Sequence, residues 1–395
     1  GMFARRIAST GSLYTFAVRG LGSHAGLITG AALGIGYLAV AMNTLASGST
    51  RLANILSGGD APPWLVIALI AGFGAVIALV VARGLRMSTR VLLVLESIAV
   101  VTVLGLSIAA LSLTRWDIGL LIPRAPDVSL EAIITGVAFA LIGFVGFESG
   151  AALGPETRRP FAAVPRAIMV SVGATGLVML VGTAAQLSIV AERPGAASLA
   201  SVTGMATLID VIVAISFLAC ALAMTNAATR LVFAMSREGL MPAAFGRVSR
   251  RGVPAIGGVL LACAVTLVPV AILAWGGSRQ DMRIVTSPAS ILGFVLAYAL
   301  VCAAAPVFLA RIGELTVRAV LLSVVPLAGL LCVLGFYLAA TLRDNPAGLL
   351  WSVGILAAVV VAGSVRMARH PRVAARVGVH DWPTDADCID GPART

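Results

Sequence analysis

Apolar positions along this chain are grouped into long runs, separated by short stretches rich in arginine, glycine and proline. Each run is about 20 residues long, the length a helix needs to cross a bilayer core about 30 Å thick. Because a backbone in lipid must satisfy its own hydrogen bonds, the runs predict helices. We predict ten of them, over residues 23–48, 63–82, 91–113, 130–153, 165–190, 205–236, 254–275, 286–310, 319–341 and 348–366.

The composition supports a membrane protein. Of the 395 residues, 59% are hydrophobic and 11% are charged, and the mean hydropathy is +1.02. A soluble domain needs more charge than this to cover its surface. We therefore predict an all-α polytopic membrane protein with residues 1–366 embedded in the lipid bilayer. Residues 367–395 are polar, and we predict a cytoplasmic tail without fixed structure.

The charged residues suggest an orientation. The net charge is +11, and every one of the 28 basic residues is arginine. Ten spans place both termini on one side, and the loops on that side hold most of the arginines. By the positive-inside tendency, both termini are predicted to lie in the cytoplasm, with the protein in the plasma membrane. No basic cluster is interleaved with exposed aromatic residues, so we expect no binding to nucleic acid.

Residues that could support catalysis or metal binding are scattered. The chain has five cysteines and three histidines, with no HExxH or CxxC pattern. We therefore predict no metal site and no cofactor. No clustered histidines, cysteines or paired acids face one another within a helical turn, so an enzyme is not expected either.

The stretch "GFVGFESGAALGPETRRP", Gly143 to Pro160, is unusual for an apolar run. Glycine costs about 1 kcal/mol relative to alanine inside a helix, so Gly143 and Gly146 together make local unwinding easy. An unwound turn is tolerated where it lines a watery cavity, and transporters use such breaks to bind small polar solutes. The alternative is that the glycines only let a neighbouring helix approach closely.

Glu148 has two interpretations. An acid within a membrane span is costly and is usually functional, so it could exchange protons. It could instead lie at the cytoplasmic mouth and be paired with an arginine. Other polar residues also leave alternatives open: Glu96 could pair across helices or reach toward Arg90, and Asp210 is expected near the outer interface. Thr225 and Asn226 could line a path or bond across helices.

Three separated stretches resemble the amino acid–polyamine–organocation superfamily of permeases. "FALIGFVGFESGAALGPETRRPFAAVPRAI", Phe139 to Ile168, is similar to the family's sixth helix and the loop after it. "NAATRLVFAMSREGLMPAAFGRVSRRGVP", Asn226 to Pro254, resembles the end of its eighth helix and the following loop. "STGSLYTFAVRGLGSHAGLITG", Ser9 to Gly30, resembles the entry to its third helix. The three stretches occur in the family's order and spacing.

The resemblance implies a LeuT-like inverted-repeat fold and a transporter of amino acids or related amines, coupled to protons or to exchange. The family's broken sixth helix, where backbone groups and an aromatic gate meet the small-molecule substrate, corresponds here to Phe139, Ile142, Gly143, Phe144, Gly146 and Phe147. Glu148 corresponds to an acid that is linked to protonation or gating in some members.

The chain also departs from the family pattern. Its first apolar run corresponds to the family's third helix, so about ten of the usual twelve helices are expected and the first helix and most of the second are not. A remnant that does not transport, or a sensor or partner subunit, is therefore the alternative function. Some members carry a lysine in the fifth helix, whereas this chain has none and Glu96 lies in that region. The sequence leaves the coupling ion and the oligomeric state open.

Overall fold

The computed structural model describes residues 2–7, 9, 11–84, 87–113, 129–192, 206–249 and 254–378. Within these residues the chain is helical and contains no β-strand. The α-helices are α1 Leu13–Leu21, α2 Ser23–Ser57, α3 Pro63–Arg83, α4 Met87–Leu113, α5 Leu130–Phe144, α6 Pro160–Glu192, α7 Ala206–Arg237, α8 Ala255–Ala274, α9 Arg279–Arg311, α10 Val317–Asp344, α11 Pro346–Arg369 and α12 Pro371–Arg376. Two 3₁₀ helices, Phe147–Glu156 and Ala243–Gly246, complete the described elements.

Each of the ten predicted runs corresponds to a helix, and most boundaries agree within a few residues. The first run was predicted to end at residue 48, but α2 continues to Ser57 and stops at Gly58, where φ is +71°. The eighth run begins earlier than predicted because Ser278 and Asp281 form a capping box at the start of α9. Hydropathy alone misses both boundaries, since the extra turns are polar.

Eight of the described helices are long and apolar enough to cross a membrane: α2, α3 and α6 to α11. Together they make the chain a multi-pass membrane protein. The two remaining predicted spans are α4, whose described apolar part is Glu96–Ser112, and α5, which is 15 residues long and is followed by a break.

Helices α2 and α9 form the centre of the bundle. In their most apolar segments, 61% and 50% of the residues are buried, compared with 6% in α6 and 11% in α10. A Cβ atom at Gly293 of α9 would lie 2.4 Å from the carbonyl oxygen of Ala32 in α2. The two backbones can approach this closely only because Gly293 has no side chain, as is common where membrane helices pack.

Part of the predicted tail is folded. Helix α11 extends to Arg369, α12 follows it, and Met367 and Val377 are buried. A Cβ at Gly378 would meet the side chain of Val18, so this segment packs on α1. Apolar residues in an otherwise polar stretch explain the packing. Residues 379–395 lie outside the described residues.

We expect Gly293→Ala to destabilise the bundle by about 1–3 kcal/mol, because the added methyl group would overlap the backbone of α2. Gly335→Ala in α10 is the matched control. A Cβ there would meet nothing within 4 Å, and alanine is the better helix former. Thermal unfolding in detergent measures both changes, and equal melting temperatures for the two variants would contradict the close packing of α2 and α9.

Candidate functional site

The helix that begins at Leu130 is interrupted where the sequence predicts a break. Helix α5 ends at Phe144, and a 3₁₀ helix begins at Phe147. Between them Gly146 has φ +114° and ψ −20°, a conformation that glycine adopts without the steric cost that a Cβ would bring. The break therefore depends on the glycine at this position and leaves the two helical segments joined by a single turn.

The first turn after the break carries Glu148, whose exposed fraction is only 1%. Its Oε2 atom accepts hydrogen bonds from the Tyr298 hydroxyl at 2.8 Å and from the Gly146 backbone N–H at 3.0 Å. The phenol of Tyr37 interacts electrostatically with the same carboxylate. The two donors come from α9 and from the break itself, and Tyr37 belongs to α2, so a single carboxylate connects three parts of the bundle.

The other carboxylate oxygen of Glu148, Oε1, is buried and has no hydrogen-bond partner among the described residues. Glu148 is not part of the ion pairs Arg6–Glu314 and Arg51–Asp210, and it forms no salt bridge within the part of the chain that the structure describes. The contacts therefore favour a buried acid over one paired with an arginine. Because burying a charge without a counter-charge is costly, the site is suited to bind a proton or a cation.

Aromatic side chains surround this carboxylate. The rings of Tyr37 and Phe294 meet edge to face at 5.3 Å, and Phe294 lies 6.1 Å from Tyr298. The ring of Phe147 lies 5.6 Å from that of Tyr298. The series joins α2, α9 and the 3₁₀ helix, and it keeps the neighbourhood of Glu148 apolar apart from the phenol hydroxyls.

A cavity of about 260 Å³ lies next to the acid. Among its described lining residues, Glu148 is the one that carries a charge. Phe147 and Tyr298 also line the cavity, as do Phe3 and Phe16, whose rings stack at 4.9 Å. The remaining lining residues are Met2, Ala4, Leu13, Ala151, Ile168, Val301, Cys302, Ala305, Leu322 and Ser323.

The predicted substrate-binding residues have different surroundings. Phe147 lines the cavity and Gly146 forms the break. A Cβ at Gly143 would lie 2.7 Å from the Cε atom of Met179, so this glycine faces α6. Phe144 also lies beside α6, next to Gly176. For Gly143 the geometry fits the close-packing interpretation that the sequence left open.

The remaining two predicted residues, Phe139 and Ile142, belong to α5 by their backbone, and their side chains lie outside the described residues. Their contribution to substrate binding stays a prediction, as does the proton-coupling or gating role of Glu148.

The other polar residues for which the sequence left alternatives open differ in their contacts. Ser216 of α7 donates to the Glu96 carboxylate at 3.2 Å, which is the cross-helix pairing among the two alternatives. Asp210 pairs with Arg51, in keeping with an interfacial position. The Thr225 hydroxyl donates to a carbonyl oxygen of its own helix, and Asn226 is exposed.

The tyrosine partners of Glu148 and a second buried acid were not predicted from the sequence. Glu238 is 5% exposed and accepts a hydrogen bond from the Tyr14 hydroxyl of α1. Burial, together with the negative charge of Glu238, raises the pKa of the Tyr14 phenol. The chain has only four tyrosines, and a buried phenol usually needs a partner, so Tyr37 and Tyr298 in apolar runs were usable signals.

No group of three or more histidine, cysteine or acidic side chains that could hold a metal ion occurs in the residues that the structure describes.

Comparison with known proteins matches residues 1–365 to the sequence profile described as "Amino acid permease". The branched-chain amino acid permease of Lactococcus lactis subsp. cremoris is 27% identical over 199 residues, 46% of this chain and 42% of the relative. The D-serine/D-alanine/glycine transporter of Escherichia coli K12 is 27% identical over 151 residues, 36% and 31% of the two chains. The low-affinity putrescine importer of the same strain is 23% identical over 259 residues, 62% and 57% of the two chains. The matched region is thus less than two thirds of each relative.

We expect Gly146→Ala to lower the free energy of unfolding by about 1–2 kcal/mol, because alanine is strained at a positive φ. Gly150→Ala in the same 3₁₀ helix is the matched control, since its φ is not positive and a Cβ there would meet nothing within 4 Å. Thermal unfolding in detergent compares the two. Equal stability of both variants would show that the break does not need a glycine.

Proposed function

We propose that this chain, which belongs to the amino acid permease family, works as a secondary active transporter of amino acids or related amines by alternating access. The observation that carries the proposal is the broken helix, with a buried acid directly after the break that has no counter-charge among the described residues. Such breaks are where secondary transporters bind solutes and coupling ions.

The break allows the two helical segments on either side of it to tilt independently. Gly146 lies in the turn that joins α5 to the 3₁₀ helix. A change in its backbone angles can therefore tilt one of these two segments without the other. We infer that the halves move against the central pair α2 and α9 during transport. Alternating access of this kind needs a rigid scaffold and a hinge, and the buried α2–α9 contact and Gly146 supply them.

Glu148 is the proposed proton-coupling residue. As a carboxylate it accepts hydrogen bonds from the Tyr298 hydroxyl and from the Gly146 N–H. The bond from Tyr298 holds the 3₁₀ helix against α9. A bound proton removes the negative charge and weakens these charge-assisted hydrogen bonds. Proton binding would therefore loosen the connection between the broken helix and α9, which links protonation to movement.

The substrate is proposed to meet the broken helix at Phe139, Ile142, Gly143, Phe144, Gly146 and Phe147. Support comes from the cavity beside Glu148, which has one acid and no basic residue among its described lining. Such a lining favours an ammonium group, which amino acids and amines share. Two of the relatives, a branched-chain amino acid permease and a putrescine importer, fall in these two classes.

We also propose that the protein resides in the plasma membrane with both termini in the cytoplasm. The arginine-rich loops on the side of the termini support this orientation. Family membership and the broken helix favour transport over a remnant or a sensor subunit.

Uptake into proteoliposomes tests the proposal. With an imposed proton gradient, the chain should accumulate at least one of leucine, D-alanine and putrescine. Glu148→Gln should remove most of the gradient-driven uptake but retain exchange of labelled for unlabelled substrate, because a neutral amide cannot release a proton. Asp60→Asn, in the exposed loop before α3, is the matched control and should behave like the parent.

Absence of uptake and exchange for all three substrates would contradict transport of these classes. Full gradient-driven uptake by Glu148→Gln would contradict the coupling role of Glu148 alone.

A further inference from the structure

Ser12 occupies a backbone conformation that normally requires glycine. Its φ is 49° and its ψ is −126°, and the Tyr14 N–H donates to the Gly11 carbonyl oxygen at 3.1 Å. These values describe the second residue of a type II′ turn, a position dominated by glycine. Among the described residues, Ser12 is the one non-glycine with a positive φ.

The side chain of Ser12 makes a contact that glycine could not make. Its hydroxyl donates a hydrogen bond to the backbone carbonyl oxygen of Glu148 at 2.8 Å. The bond joins the turn before α1 to the first turn after the helix break, 136 residues away in sequence. Ser12 is 6% exposed and Glu148 is 1% exposed, so water does not compete for the contact.

We propose that Ser12 is a positioning residue for Glu148, and that it holds the segment after the break through a strained but releasable contact. This rests on the proposed function, since it assigns Ser12 to the movement of the same broken helix. Strained backbone conformations persist where surrounding contacts hold them, and they concentrate at switching sites. Here the hydrogen bond to the Glu148 carbonyl group offsets the strain of the turn.

The strain and the contact can be separated by mutation. Ser12→Gly removes both the hydroxyl group and the strain, because glycine adopts this φ freely. Ser12→Ala removes the hydroxyl group and keeps the strain. Relative to the parent, Ser12→Gly should therefore be at least as stable and Ser12→Ala less stable, although both variants lose the contact. Glu148→Gln leaves the carbonyl oxygen in place and is not expected to break the Ser12 bond.

A single cysteine reports on the movement of this region. Cys302 of α9 is half-buried and lines the same cavity as Glu148. In a background where the other four cysteines are replaced by serine, its rate of reaction with a maleimide measures how often the cavity opens. The full chain in detergent serves for labelling and thermal unfolding, and proteoliposomes serve for the pH profile of uptake.

If Ser12 positions Glu148, both variants should label Cys302 several-fold faster than the parent and should shift the pH profile of uptake in the same direction. Ser12→Gly should be at least as stable as the parent and Ser12→Ala less stable. A purely structural role predicts instead that labelling follows stability, with Ser12→Gly at or below the parental rate.

Parental labelling by Ser12→Gly, or faster labelling with an unchanged pH profile, would overturn the proposal. A parent that does not transport would refute the proposed function. In that case the labelling rates still decide whether Ser12 holds the segment that carries Glu148.

Discussion

The arrangement of this bundle depends on the contacts that the buried carboxylate of Glu148 makes. It lies in apolar surroundings, accepts from a phenol of α9 and a backbone N–H of the break, and faces a second phenol from α2. A buried charge is tolerated only when donors are placed around it. The positions of α2, α9 and the broken helix are therefore coupled through one side chain, and any change in its protonation acts on all three.

The close contact between α2 and α9 makes this arrangement possible. Gly293 lets the two backbones approach, and Phe294, the next residue in α9, packs against Gly36 and Tyr37 of α2. Tyr298 follows one turn later on the same helix, which places its hydroxyl at Glu148. Small residues that permit packing and aromatic residues that shape the site thus alternate along one helix, so packing and function are specified by the same segment.

The sequence predicted the helices and the break well, because both arise from local properties. Apolar run length determines the spans, and Gly146 with Glu148 marks the interruption. The partners of Glu148 could not be predicted in this way, since Ser12, Tyr37 and Tyr298 are distant along the chain. The direction of Gly143, toward Met179 of α6, likewise depends on helix rotation, which run length does not determine. Residues 367–378 pack through a few apolar side chains that a polar average conceals.

A double-mutant cycle between Glu148 and Tyr298 tests the central claim most directly. The free energy of unfolding would be measured in detergent for the parent, Glu148→Gln, Tyr298→Phe and the double variant. A buried hydrogen bond between the two side chains predicts a coupling free energy of about 1 kcal/mol or more. Additive effects of the two substitutions would contradict the claim that this carboxylate holds the broken helix against α9.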